Sequence, residues 1–382
     1  MKAAIVTFVR AYNYGATLQC YALSKKLRDL SVDVEVLDYS PQYFGDSYNL
    51  AYLGHLRLLP YRPLKNWWEL TPLRGIIKKR NRGFESFIKD NIPLSPRQYR
   101  TIDEINAQFL PYDMYISGSD QVWSSICVPF DPVYFLQFAS ASPEKRYSYA
   151  ASFGMNTVPE KYESQYKERL SHWTGYCVRE ASAATLLKSL IGVEAAQCCD
   201  PTLLLTKTEW EAVASPQKPQ PPYILVYTVN KSKKLLEYAA KLSREKNLPV
   251  YVTATYMTHQ CLLGQEEKVY GFRMCPSTSP GEWIQMFFSA EYVLTDSFHG
   301  TVFSLIGHKK LLVVCDKPNI RSRELLETVG LSSHYDPDTI APIDTIPHWD
   351  TVDSMFSQFR NASIEYLQSM LDHRRSAMKE AK

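Results

Sequence analysis

His299 is the side chain in this sequence best suited to moving a proton. It stands in Thr295-Asp-Ser-Phe-His-Gly-Thr301, where an apolar strand pattern gives way to a helical one. Histidine can act as an acid near neutral pH. The first free N–H groups of a helix favour anions, so Ser297, Gly300 and Thr301 are expected to line an anion site. Gly300 is expected to let the backbone come close to a ligand. A solitary turn histidine more often bonds only to its neighbours. The strand–turn–helix setting, with Asp296 and Ser297 beside it, favours the chemical role.

Four other turns carry polar residues where strand patterns end. Arg179, in Val178-Arg-Glu180, can grip a carboxylate or phosphate with its planar fork. A surface arginine paired with a nearby acid explains it equally well. Gly118-Ser-Asp-Gln-Val-Trp123 offers Ser119, Asp120 and Gln121. Asp120 can accept a hydroxyl proton, although capping the next helix is the simpler role. Asn13-Tyr-Gly-Ala-Thr-Leu-Gln19 places Asn13, Tyr14 and Gly15 after the first strand, where turn chemistry alone would account for them. Asp316-Lys-Pro-Asn-Ile-Arg-Ser-Arg323 brings Lys317, Arg321 and Arg323 to the rim that holds His299. One or two of these cations are expected to be mere surface charges.

The elements that must position these residues form two series. Ala3–Val9 reads as a buried strand, Leu18 to Leu30 as a helix and Val32–Val36 as a strand, which together make a βαβ unit. Strands follow at Tyr112–Ser117, Arg146–Ser152 and Tyr176–Arg179, with a helix from Glu180 to about Ile191. Four prolines in Ser215–Pro222 mark a linker. Beyond it come strands at Tyr223–Val229, Pro249–Thr255, Tyr292–Thr295 and Lys310–Cys315. Helices are expected at Lys231–Glu245, Pro280–Ser289 and His299–Gly307. Ser279, Pro280 and Glu282 mark one helix start as a capping box. Val352, Phe356, Phe359, Leu367 and Met370 form the stripe of a C-terminal helix. The expected organisation is α/β: residues 1–205 and 206–350 as two Rossmann-like domains facing across a cleft, and 351–382 as a helix packing back on the first. Neither G-x-G-x-x-G nor G-x-x-x-x-G-K-[ST] occurs, so nicotinamide, flavin and P-loop chemistry lack support.

Bulk properties narrow the function. A chain of 382 residues is comfortable for two domains. A net charge of +3 is too small to suggest a nucleic-acid partner. The eight cysteines include no C-x-x-C pair, which argues against zinc, and several read as core residues in a reducing compartment. No signal peptide or transmembrane span is read, so a cytoplasmic location is expected. Trp67-Trp68 and the run Lys78–Arg82 read as an excursion, a surface helix with solvated charges, or a peripheral contact with membrane lipid.

Six of these pieces, in order, resemble the polysaccharide pyruvyl transferase family: Asn13–Gln19, Gly118–Trp123, Tyr149–Gly154, Val178–Glu180, Asp200-Pro-Thr-Leu-Leu204 and Thr295–Thr301. The resemblance implies a GT-B-like fold, phosphoenolpyruvate as donor and a saccharide as acceptor. It implies a cyclic ketal product, released phosphate, and no metal or organic cofactor. It makes His299 the proton donor and Arg179 a donor-binding residue, with Arg321 the nearest match to a second cation. Ser297-Phe298 stand where one branch carries Arg-Leu, so Arg321, Arg323 or Lys317 is expected to supply the missing charge. The acceptor side falls to Asn13, Tyr14, Gly15, Ser119 and Gln121, and Asp120 joins His299 as a catalytic candidate. The setting implied is exopolysaccharide, capsule or cell-wall glycan synthesis on a lipid-linked or polymer-precursor sugar, at the inner face of the membrane. A nucleotide-sugar glycosyltransferase and a non-catalytic glycan-binding protein are the alternatives.

Overall fold

Short apolar runs separated by polar turns make strands that bury both faces, the pattern of a parallel sheet covered by helices. The computed structural model describes residues 1–44, 72–126, 128–216, 221–230, 232–255 and 269–380. Trp67, Trp68, Cys127, Cys261, Lys231 and the middle of the proline-rich stretch lie outside the described residues. The first sheet comprises β1 (Lys2–Val6), β2 (Asp33–Tyr39), β3 (Leu94–Tyr99), β4 (Met114–Ser117) and β5 (Arg146–Ser148). Its order is β3-β2-β1-β4-β5, and every pairing is parallel. A small parallel pair follows, β6 (Cys177–Val178) with β7 (Ala196–Gln197). The second sheet comprises β8 (Ile224–Thr228), β9 (Val250–Ala254), β10 (Arg273–Met274), β11 (Tyr292–Thr295) and β12 (Lys310–Val313). Its order, β10-β9-β8-β11-β12, repeats that of the first. The chain thus builds one Rossmann-like topology twice. Each sheet has a switch point, β1/β4 and β8/β11, where ligands bind beyond the strand ends.

Three strands are absent from the sequence reading: β3, β10 and the two-residue β7 that pairs with β6. β3 contains Pro96, which spoils a strand pattern; it survives because β3 is an edge strand and needs one fewer amide. β10 is two residues long, also at an edge. The basic run lies on the helix Pro72–Asn91, where Lys78, Lys79 and Arg82 are exposed. Arg80 departs from the solvated-face expectation. It is buried, donates to the carbonyls of Tyr12 (2.8 Å) and Thr255 (3.0 Å), and lies 4.6 Å from the Phe84 ring. Aromatic packing can shelter a buried guanidinium.

The sheets are joined by apolar contacts rather than by a chain of salt bridges. Tyr14 stacks on Trp283 with centroids 5.3 Å apart, and one continuous core runs from β1 to the last helix. That helix, Trp349–Glu380, buries Val352, Phe356, Leu367 and Met370. It also bonds to the first half of the chain. Arg374 Nε donates to the Asp113 carbonyl (2.7 Å), and Ser363 Oγ accepts from the Cys199 amide (2.9 Å). Ser279 and Glu282 form the capping box read from sequence. Cys20, Cys177, Cys198 and Cys199 are buried free thiols. Among the described residues no helix is long and apolar enough to cross a membrane.

Candidate active site

The loops that leave the two switch points meet. Asn13 follows β1, Asp120 and Gln121 follow β4, Asn230 follows β8, and His299 follows β11; all line one cavity of about 180 Å³. The helix Phe298–Ile306 starts there because Ser297 caps it, its hydroxyl accepting from the Gly300 amide at 3.3 Å. The Ser297 amide itself donates to Thr295 Oγ1 (3.1 Å), so the Phe298 and His299 amides are the first-turn donors left for a ligand. Gly300 and Thr301 depart from their expected ligand contacts. A Cβ at residue 300 would lie 2.3 Å from Thr295 Oγ1 and 2.9 Å from the Tyr227 ring. The glycine therefore serves helix–strand packing. The Thr301 hydroxyl is fully buried, shared between the Ser297 carbonyl and Ser322 Oγ.

His299 is 8% exposed, and the start of the first helix makes room for it. A Cβ at Gly15 would lie 2.1 Å from His299 Nδ1, so only glycine admits the ring. Gly15 thus seats the histidine rather than the acceptor. His299 Nε2 lies 3.6 Å from Asp200 Oδ2 and has no hydrogen-bond partner among the described residues. Asp200 is the residue that sequence reasoning missed. It is 1% exposed, and Oδ2 also accepts from Arg179 Nη1 (2.7 Å) and Ser119 Oγ (3.2 Å). Oδ1 accepts from the Thr202 amide and hydroxyl. Burial alone would raise the pKa of this carboxyl; His299, then Arg179 and Thr202, outweigh burial and hold it well below the usual carboxylate range. Its signal was present in Asp200-Pro-Thr, an acid capping a short turn with proline in the first position.

Arg179 is neither a surface residue nor a free anion clamp. The residue is 5% exposed, and its guanidinium is bonded through Nε to Glu180 (2.8 Å) and through Nη1 to Asp200. Burial would lower its pKa, but Glu180, Asp200 and Asp120 raise it above the ordinary arginine value. Nη2 alone has no hydrogen-bond partner among the described residues. Phe298 lies between this guanidinium (4.8 Å) and that of Arg321 (5.7 Å). With the Gln121 amide turned so that its oxygen faces Arg321, it accepts from both terminal nitrogens at 2.9 and 3.0 Å.

Three hollows adjoin at Arg321. The first is the 180 Å³ cavity with His299 and Asp120. The second, about 460 Å³, holds Arg179 and Asp200 and is bordered by the last helix. The third, about 300 Å³, holds Lys317. His299 and Arg179 therefore converge on one carboxylate oxygen but line different hollows, with Phe298 and Arg321 between them. Asp120 sits at φ 75°, an uncommon region for a residue with a side chain, and its Oδ1 accepts from the Gln121 amide at 2.9 Å. Such residues gather at functional sites. Arg323 falls outside the site: it is exposed and lies 5.0 Å from the Tyr335 ring. Tyr14 is fully buried, its hydroxyl donating to the Thr278 carbonyl (2.9 Å), so it joins the sheets instead of meeting an acceptor. Ser119 is likewise buried, beneath Asp200. Among the described residues no three His, Cys, Asp or Glu side chains are grouped to hold a metal ion.

Comparison with known families separates this chain from other twin-Rossmann proteins. Residues 13–314 match the sequence model described as polysaccharide pyruvyl transferase. The chain belongs to that family. A search of curated proteins found no match. Solved structures with a similar fold include UDP-N-acetylglucosamine 2-epimerase from Rickettsia bellii, with a TM-score of 0.55 and 11% identity over 98% of this chain and 97% of that one. The UDP-GlcNAc 2-epimerase of Methanocaldococcus jannaschii, in complex with UDP-GlcNAc and UDP, has a TM-score of 0.52 and 12% identity over 98% of this chain and 100% of that one. At such identity the likeness establishes the GT-B-like α/β fold and no more. Family membership makes the protein a transferase of pyruvyl groups in polysaccharide synthesis, with the His299 turn inside the matched region.

Proposed function

We propose that the protein transfers the pyruvyl group of phosphoenolpyruvate to two hydroxyls of one saccharide, forming a cyclic ketal and releasing phosphate. The observation that carries this reading is His299 Nε2, buried, without a hydrogen-bond partner among the described residues and 3.6 Å from Asp200. In its imidazolium form His299 gives a proton to the methylene carbon of the donor. The adjacent carbon becomes electrophilic and a sugar hydroxyl adds to it. That hydroxyl's proton passes to Asp120, which lines the same cavity. The bond to phosphate breaks, phosphate leaving with the electron pair; the second hydroxyl closes the ketal and loses its proton to water.

Arg321, Lys317 and the Phe298 and His299 amides hold the donor's charges, while Arg179 fixes the Asp200 carboxylate from the adjoining hollow. Asn13 and Gln121 border the reacting carbon. Phosphoenolpyruvate is a co-substrate, and neither metal nor organic cofactor enters the scheme. The acceptor is a lipid-linked or polymer-precursor sugar of exopolysaccharide, capsule or cell-wall synthesis, met in the cytoplasm at the inner membrane face. The fold also suits nucleotide-sugar transfer, and the family match favours the pyruvyl reading over it. The test is mass spectrometry of a saccharide panel incubated with phosphoenolpyruvate. A gain of one pyruvate less water, with equal phosphate release, is expected. Turnover of nucleotide sugars, with phosphoenolpyruvate inert, would replace this reading by the glycosyltransferase one.

A further inference from the structure

The 180 Å³ cavity beside His299 is below the size of ordinary small-molecule sites, about 300–1,000 Å³. A donor and a sugar ring cannot share it. The neighbouring 460 Å³ hollow is within that range, and Phe298 and Arg321 line both. The floor of the larger hollow is built from Arg179, Asp200, Leu203 and Phe298; its rim carries Glu324 and Gln358.

Four features of this hollow point to one kind of ligand. Its charged residues are Glu180, Asp200 and Glu324 against Arg179 and Arg321, a balance that opposes a phosphate or a nucleotide. Arg179 Nη2, on a side chain 3% exposed, has no hydrogen-bond partner among the described residues and needs an acceptor oxygen. Burial, then the Glu180 and Glu327 carboxylates, push the Glu324 pKa up. Phe359 and Leu203 supply an apolar wall. Carboxylate and amide acceptors around an apolar platform, with one buried donor, match the hydroxyls and C–H face of a sugar ring.

We propose that this hollow is the subsite for a neutral ring of the acceptor saccharide, gripped between Glu324 on the helix Ile320–Thr328 and Gln358 on the last helix. The assignment rests on the pyruvyl-transfer reading only for the word acceptor; the binding itself does not. A ring seated here presents hydroxyls across the Phe298–Arg321 wall to the donor cavity. It also gives the last helix a role in acceptor selection, since Gln358 and Phe359 come from it.

Saturation-transfer NMR tests the subsite without turnover. The probes are methyl β-glucoside, methyl β-galactoside and N-acetylmannosamine, each with the full chain and no phosphoenolpyruvate. At least one is expected to give a signal that persists in His299→Ala, is lost in Glu324→Ala/Gln358→Ala, and is not displaced by inorganic phosphate or UDP. Both substituted residues lie on the rim, so the core is untouched. Absence of signal from all three probes, displacement by UDP, or a signal unchanged in the double variant overturns the subsite. If turnover is found, the same variant is expected to raise the saccharide Michaelis constant about tenfold and leave that of phosphoenolpyruvate unchanged. Binding without pyruvyl transfer would keep the subsite and discard the chemistry. Transfer with an unaltered saccharide constant would do the reverse.

Discussion

Two buried aspartates near His299 behave in opposite ways. Asp200 and Asp296 are 1% and 2% exposed. Asp296 accepts from Thr228 Oγ1 (2.8 Å) and from the Val229 (2.6 Å) and Asn230 (2.9 Å) amides. All are neutral donors at and just beyond the end of β8, and burial leaves its pKa raised. Asp200 instead faces Arg179 from its own half and His299 from the other, and its pKa is lowered. Equal burial with different partners gives a pin in one case and a charge-holding centre in the other. The contrast teaches that burial of an acid says little about its role until the charge of its partners is known.

The strongest way to break the contrast is His299→Ala. Loss of the general acid should lower phosphate release about 10²–10⁴-fold. Near-normal turnover would place the Asp200 side on the same structural footing as the Asp296 side. Next in size is a pair of stability measurements. Asp200→Asn removes the carboxylate from a buried ion pair and should cost about 3–5 kcal/mol in urea unfolding. Asp296→Asn keeps an acceptor for neutral donors and should cost about 1–3 kcal/mol. Equal losses would erase the difference between them.

Gly15→Ala sharpens the comparison from the His299 side. Alanine suits the helix better, by about 1 kcal/mol. Its methyl would nonetheless occupy the place of the imidazole, 2.1 Å from Nδ1. Turnover should fall about 10²-fold with helix content retained. Full activity would mean that the ring has another seat.

The smallest effect is on the pH dependence of stability. The lowered pKa of Asp200 gives stability that is complete above the unfolded value of about 3.9 and is lost as pH falls below it. The raised pKa of Asp296 works the other way: its charge costs stability at neutral pH, and that cost is relieved as pH falls through its folded value towards about 4. Unfolding free energies from pH 7 to pH 3 should show Asp296→Asn more stable relative to wild type at pH 7 than at pH 4. Asp200→Asn should narrow its deficit only below about pH 4. Parallel curves for both variants would refute the partner-charge account.

The sequence by itself determined the long apolar strands, the caps and the turns, but not β3, β7 or β10. Tyr292–Thr295 and Pro280–Ser289 needed only apolar runs and a capping box, which are local properties. His299 and Arg321 were legible because they follow strand ends, where ligands gather. Tertiary structure alone decided what each polar side chain faces. Arg179 and Asp200 are far from His299 in the chain, and no local pattern could show that one oxygen of Asp200 faces both Arg179 and His299. Nor could it show that Gly15 seats the ring, that Arg80 and Tyr14 lie between the sheets, or that Phe298 divides the hollows. Backbone conformation follows from neighbours in sequence. The protonation, pairing and accessibility of a side chain follow from neighbours in space, and these exist only once the two sheets have met.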